Sequence, residues 1–249
     1  MRLIARALLV LTALTGAASL RAESVAVAFA ANFHLPMQAL VEAFDERHEF
    51  TLISGSTGSL YAQIVNGAPY DVFIAADSER PRLLGESGLA EAETQFTVAS
   101  GQLVLWSASR EFSPDANIDD LLSEEFRFLA VANPALAPYG EAARDTLVKL
   151  GLWETWSSRL VYGSNVAQAF AMTATGNAEF GLIALSQVID DEKSGSYVIV
   201  PASLYEPINQ DAILLNRGVD NPAAVALIEF LSSPRARDLI RQFGYRTNP

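Results

Sequence analysis

Short apolar runs of strand length alternate along this chain with segments of helical period, and no other feature narrows its possible folds as much. SVAVAFA at 24–30 is followed by LPMQALVEAFDER, then FTLIS, SLYAQIVNG and DVFIAAD at 71–77. The middle of the chain repeats the scheme with LVLWS, IDDLLSEE, FLAVA, GEAARDTLVKLG, RLVYG, VAQAFAMTATG and FGLIAL. YVIVP and AILL then read as strands, NPAAVALIEFLSS as a helix capped by Asn221 with Pro222 at its first position, and PRARDLIRQFG as a last helix closing on Gly244. Strands this uniformly apolar need helices on both faces, which predicts an α/β fold with mostly parallel sheets. No repeats, low-complexity tracts or polar linkers interrupt the pattern. Two α/β units without a linker predict two lobes joined by crossing strands, with candidate crossings near Gln102–Trp106 and Pro201–Asn209.

The first 22 residues stand apart. MRLIAR carries two arginines, and ALLVLTALTGAAS is an apolar run too short to span a bilayer comfortably and ends in small residues. This is the pattern of a secretory signal peptide, with cleavage expected after Ala22 and a cut near Ala18 as the alternative. The remaining 227 residues suffice for one large domain or two lobes with real cores. No later segment reads as a membrane span. The chain has no cysteine, which excludes disulfides, thiol nucleophiles, thiolate metal sites and a lipid-anchored N-terminal cysteine. A soluble exported protein is the expectation.

Without Arg2, Arg6 and Arg21 the chain carries 14 basic against 29 acidic residues, a formal charge of −15. Nucleic acid and anionic membrane surfaces are thereby disfavoured as partners. An acidic protein can still hold an anion in a buried cluster of neutral N–H and O–H dipoles. Four strand-to-helix junctions have the composition for one: AFAANF at 28–33, SGSTGSL at 54–60, NPALAPYGEAA at 133–143 and YGSNVAQAF at 162–170. A helix start exposes backbone N–H groups with no internal acceptor and carries partial positive charge, so it binds anions without any basic side chain. In parallel sheets such junctions share the carboxyl edge, where ligands bind.

At these junctions Ala31 and Asn32 come first, ahead of a helix with Pro36 in its opening turn. Ser56 and Thr57 precede Gly58, where the backbone can approach a ligand closely. Tyr139 offers its N–H after Pro138, which has none, and Val166 offers its N–H after Ser164 and Asn165. Any one of these is ordinarily just a helix cap. The set, together with the export signal, points to a binding cleft. Micromolar to nanomolar affinity needs about 8 to 12 kcal/mol, and charge-assisted hydrogen bonds contribute roughly 1.5 to 3 kcal/mol each. About half a dozen donors suffice on that scale, before desolvation and ordering costs.

VAVAFAANF, GSTGSLYAQIVNGAPYDVFIAAD, NPALAPYGEAARDTLVKLGLW and PRARDLIRQFGY resemble the periplasmic molybdate-binding proteins of ABC transporters, through nearly the whole chain after the signal. The resemblance implies a two-lobed type II periplasmic binding protein fold, with both chain ends in one lobe and the ligand in the cleft between lobes. The implied boundaries are 1–22 for the signal peptide, 23–103 with 205–249 for lobe I, and 104–204 for lobe II. The implied ligand is molybdate or tungstate, contacted by Ala31, Asn32, Ser56, Thr57, Tyr139 and Val166. Asn32, Thr57, Tyr139 and Val166 would touch the metal oxyanion through its oxygens and are not direct metal ligands. Some members of the family use a tyrosine hydroxyl in the strand matching FGLIAL, where this chain has Ala184. The resemblance further implies a periplasmic monomer without cofactor, which delivers its anion to a membrane permease driven by a separate ATPase.

Molybdate, tungstate and sulfate are unprotonated at neutral pH and want donors only, whereas hydrogen phosphate also needs an acceptor. No acidic residue falls at the predicted contacts, which disfavours phosphate. A binding protein for sulfate, thiosulfate or a chelated metal remains the alternative, with a periplasmic hydrolase or adhesion module behind it. Catalytic machinery is hard to find. His34 and His48 are the only histidines and lack metal-site spacing. GSTGSL lacks the G-K-[ST] of a nucleotide loop, and there is no G-x-S-x-G elbow. Asp71 and Asp77 lie at opposite ends of one strand and are read as capping or lobe-edge groups; Trp106, Trp153 and Trp156 are read as packing. The expectation is a binding protein and not an enzyme.

Overall fold

The computed structural model describes residues 24–44, 48–113, 115–123, 125–189 and 195–247. The expected signal peptide lies outside these residues. In chain order the elements are β1 (Ser24–Ala30), α1 (His34–Phe44), β2 (Glu49–Gly55), α2 (Thr57–Val65), β3 (Val72–Ala75), α3 (Glu79–Glu86), β4 (Phe96–Gly101), β5 (Leu103–Ser107), α4 (Ile118–Ser123) and β6 (Leu129–Ala132). They continue with α5 (Pro138–Lys149), α6 (Trp153–Trp156), β7 (Leu160–Gly163), α7 (Val166–Ala174), β8 (Phe180–Ala184), β9 (Ser196–Ile199), β10 (Ile208–Leu214), α8 (Pro222–Leu231) and α9 (Pro234–Arg241).

The strands form two five-stranded sheets with the same plan, β2-β1-β3-β10-β4 and β7-β6-β8-β5-β9. The first three strands of each are parallel, while the fourth pairs antiparallel with both neighbours. Four of five strands in each sheet therefore point the same way. The reversed strand is in each case the one that enters from the other sheet. The chain passes from the first sheet to the second between Gly101 and Leu103, and returns between Ile199 and Ile208. Two crossing strands at equivalent positions tie the lobes together while leaving the carboxyl ends of the parallel strands facing one another.

Burial on both faces explains the apolar runs. In β1, Val25, Val27 and Phe29 join a cluster with Leu40 of α1, Leu227 of α8 and Ile240 of α9. Ala28 faces the opposite way, toward Leu60 and Ile64 of α2 and Leu84 of α3. The second sheet is the centre of one larger cluster that includes Leu105, Leu129, Leu147 and Phe180. Trp106 stacks on Phe170 at 5.0 Å, and Trp156 meets Phe126 edge-on at 4.7 Å. Trp153 packs at the margin of the same cluster, so the tryptophans are packing groups.

Local signals act where the sequence places them. The Asn221 side chain accepts from Ala223 N–H at 3.1 Å with Pro222 at the first position of α8, and Gly244 takes a left-handed φ of 77° after α9. Asp71 is fully buried because its carboxylate accepts from Ala26 N–H at 2.7 Å and from Arg217 at 2.9 Å. Asp77 accepts from Arg80 N–H at 2.8 Å. Asp77 thus takes the capping role expected of it, whereas Asp71 is a buried partner of β1 and Arg217 and not a cap.

Leu105 sits with no exposed surface in the strand that carries the chain into the second sheet, beside Leu182 and Val198. Leu105→Ala should lower stability by about 2 to 5 kcal/mol through lost burial and a residual cavity. A reduced urea midpoint with an unchanged slope is the expected reading.

Candidate functional site

All four junctions singled out in the sequence meet at one narrow cleft between the sheets. Ala31 and Asn32 reach it from a 3-10 turn after β1, Ser56 and Thr57 from the start of α2, Tyr139 from the start of α5, and Val166 from the start of α7. Among the described residues that line the cleft, none is charged. Ala184 ends β8 without reaching it.

Helix chemistry determines which N–H groups face inward. In α2 the N-cap Ser56 accepts from Ser59 N–H at 3.3 Å and donates its hydroxyl to Ser59 Oγ at 2.6 Å. In α7 the N-cap Asn165 accepts from Gln168 N–H at 3.0 Å, and the Gln168 side chain accepts in return from Ser164 N–H at 2.6 Å. Each cap takes the third N–H of its helix, and the first-position N–H groups of Thr57 and Val166 have no acceptor inside the helix. In α5, Pro138 removes the first N–H, so Tyr139 carries the leading donor. The Thr57 hydroxyl oxygen accepts from Ala76 N–H at 3.0 Å, which leaves its proton to donate elsewhere. Ser56 thus acts in the cleft as a cap, and Thr57 is the residue with a hydroxyl proton to offer.

Asn32 works differently from a simple side-chain donor. Its Nδ2 donates to Gln210 Oε1 at 2.7 Å and to the Tyr245 hydroxyl at 2.9 Å. Gln210 Nε2 donates to Ile208 O at 3.1 Å, which fixes Oε1 as the acceptor facing Asn32. Both amide hydrogens of Asn32 are therefore directed into the protein, and its N–H remains as the donor in the opening turn. Gln210, Tyr245 and Ser186 were not picked out by the sequence; they lie 178, 213 and 154 positions from Asn32. No local signal announces partners at that separation.

The lobes approach closely around the cleft. Gly58 N–H, the second donor of α2, reaches across to Leu136 O at 2.8 Å. Burial raises the pKa of Tyr139 well above the ordinary tyrosine value, with Tyr245 and Tyr205 adding to the effect. Burial likewise pushes Tyr245 up, against hydrogen bonds from its neighbours. Both hydroxyls therefore stay neutral. Glu141, in the first turn of α5, is raised from its ordinary value first by burial, with Arg80 and Arg144 opposing. His34 is exposed at the start of α1 and stacks on Phe29 at 6.0 Å, lining a second groove beside the cleft.

Two mixed α/β sheets joined by two crossing strands, with a neutral cleft lined by helix starts from both, define a two-lobed solute-binding protein. The model of the bacterial extracellular solute-binding protein family matches residues 25–246, and the chain belongs to that family. It is 47% identical over 233 residues to a molybdate-binding protein of Azotobacter vinelandii, covering 92% of each chain. It is 43% identical to one of Rhodobacter capsulatus, over 91% of this chain and 89% of the relative. The solved structure of the periplasmic molybdate-binding protein of Azotobacter vinelandii superimposes with a TM-score of 0.85 at 36% identity, over 90% of this chain and 100% of the other.

A Cβ at Gly58 would stand 2.9 Å from the Leu136 carbonyl oxygen. Gly58→Ala should leave the ligand-free protein as stable, or more stable by up to about 1 kcal/mol, while weakening anion binding about tenfold by obstructing approach of the lobes. Paired thermal melts and calorimetric titrations separate the two effects.

Proposed function

We propose that this protein is the substrate-binding component of an ABC importer for molybdate, with tungstate as an equivalent ligand. The observation that carries the reading is the convergence of four helix starts from two lobes on a cleft lined only by neutral groups. Such a cleft supplies hydrogen-bond donors and helix dipoles to an anion that has no proton of its own to donate. The proposed donors are the N–H groups of Ala31, Asn32, Thr57, Tyr139 and Val166 together with the Thr57 hydroxyl, with Ser56 holding the α2 start in place. Asn32, Thr57, Tyr139 and Val166 would meet the oxygens of the oxyanion, not its metal. With six donors at roughly 1.5 to 3 kcal/mol each, about 9 to 18 kcal/mol is available before desolvation and ordering costs. That range covers submicromolar affinity without a lysine or arginine.

The molybdate-binding relatives at 47% and 43% identity support the choice of ligand. The same relationship supports an exported, periplasmic protein whose leader is residues 1–22. Among the described residues no helix is long and apolar enough to cross a membrane. We take lobe I as 23–103 with 205–249 and lobe II as 104–204, so that the crossing strands act as the hinge. In this reading the protein is a monomer, needs no cofactor, performs no chemistry on its ligand, and delivers it to a permease and its ATPase.

A thermal-shift and calorimetry panel with molybdate, tungstate, sulfate, phosphate and thiosulfate tests the reading. Molybdate and tungstate should bind, and at a thousand times the dissociation constant should add about 4 kcal/mol of stability. Best binding by sulfate, or no binding by any anion, would sink the molybdate assignment. Thr57→Val should weaken molybdate binding about tenfold or more, by removing one hydroxyl donor and leaving the Ala76 N–H without its acceptor. Thr57→Ser should bind close to the wild-type level.

A further inference from the structure

Behind the cleft lies a buried set of hydroxyl and amide groups drawn from both lobes. Tyr245, in the C-terminal segment beside the first sheet, donates its hydroxyl proton to the Asn32 carbonyl oxygen at 2.8 Å. Ser186, in the 3-10 turn after β8 of the second sheet, donates to the same carbonyl at 2.8 Å. The Tyr245 hydroxyl also lies 3.3 Å from Ser186 Oγ. With its single proton on Asn32, Tyr245 accepts from Asn32 Nδ2. Asn32, Ser186, Gln210 and Tyr245 are each at most 5% exposed. The set is satisfied, directional and dry.

Its two halves belong to different bodies. Asn32, Gln210 and Tyr245 stay together whatever the lobes do. Ser186 and Tyr139 arrive from the second lobe, and room for Tyr139 is made by Gly101, where a Cβ would stand 2.1 Å from its hydroxyl. Opening the cleft removes one of the two donors to the Asn32 carbonyl and the contact of Ser186 with the Tyr245 hydroxyl.

We infer that Ser186 and Tyr245 are positioning residues which couple closure of the lobes to the placement of the Asn32 donor, so that the closed state is held by hydroxyls the ligand never touches. The inference rests on the oxyanion-binding reading for its ligand but not for its geometry. Ser186→Ala removes a donor used only when the lobes are shut. It should leave the ligand-free melting temperature within about 2 °C, leave molybdate association within about twofold, and speed dissociation about tenfold. Ser186→Thr should restore slow dissociation. Tyr245→Phe strips both the carbonyl donor and the acceptor for Asn32 Nδ2, and should lower ligand-free stability as well as affinity.

The native chain has no cysteine, so spin labels placed through Val65→Cys and Val148→Cys, on exposed sites flanking the two sheets, report the inter-lobe distance directly. Stopped-flow kinetics and the closed fraction at saturating molybdate are then measured in wild type, Ser186→Ala and Ser186→Thr. Faster dissociation and a smaller closed fraction in Ser186→Ala, both recovered in Ser186→Thr, support the coupling. Wild-type values of both in Ser186→Ala overturn it, as does a loss of melting temperature with no change in dissociation, which marks a purely structural role. If wild type binds none of the anions, the molybdate reading fails on its own. The ligand-free closed fraction then decides the coupling: a smaller one in Ser186→Ala supports it, and an equal one overturns it.

Discussion

Holding an anion inside an acidic protein without a cation depends on N–H groups that the chain leaves unused and aims at one point. A buried donor without a partner is costly, so the fold must provide such groups where helices leave them anyway. The starts of α2, α5 and α7 and the turn after β1 do this. Parallel strands put helix starts at one edge of each sheet, and the two sheets turn those edges toward each other. Caps on the third N–H of α2 and α7 hold both helix starts while their first N–H groups have no acceptor inside the helix. The missing N–H of Pro138 gives α5 the same result by a different route.

Closing two such edges onto a small solute requires backbone to meet backbone, and the glycines fall where it does. Gly58 faces the Leu136 carbonyl and Gly101 the Tyr139 hydroxyl; either would collide if it carried a Cβ. The reversed strands β5 and β10 each sit fourth in their sheet, between partners that hold them on both sides, and each is reached by one of the two crossings.

Much of this was legible in the sequence, for reasons that also explain what was not. The strands with both faces buried, such as β1, β6 and β8, are unbroken apolar runs. The junctions advertise themselves because caps and close approaches demand small or hydroxyl residues. β4, with only Val98 and Ala99 buried, carries no comparable run and went unassigned, as did α3, whose ERPRLLGE is mostly polar and holds an internal glycine. AILL marked only the end of β10, because its first residues, INQ, include the polar Gln210 that serves Asn32. That gap is instructive: the polar residue that broke the strand pattern is the one that holds the Asn32 amide. Asn32 stood out in the sequence at its junction, but its amide is a structural anchor, since the partners that claim its hydrogens come from the far end of the chain.

A capped helix start and a leading N–H without an internal acceptor are a single arrangement at these junctions and not competing features. A Ser or Asn at the N-cap accepts from the second or third N–H of its helix and leaves the first without a side-chain acceptor. The more firmly it holds that bond, the better the first turn is ordered, and the less freedom the leading N–H loses when an anion arrives. A cap that looks wholly occupied, as Ser56 does with Ser59 or Asn165 with Gln168, is therefore what an anion site without a basic residue needs. The same logic extends to Asn32: by directing both amide hydrogens toward Gln210 and Tyr245 it gives up a side-chain contact and gains a fixed main chain. In a cleft built from neutral dipoles, where no single donor is strong, fixed direction is the property that lets several weak donors act on one small ion together.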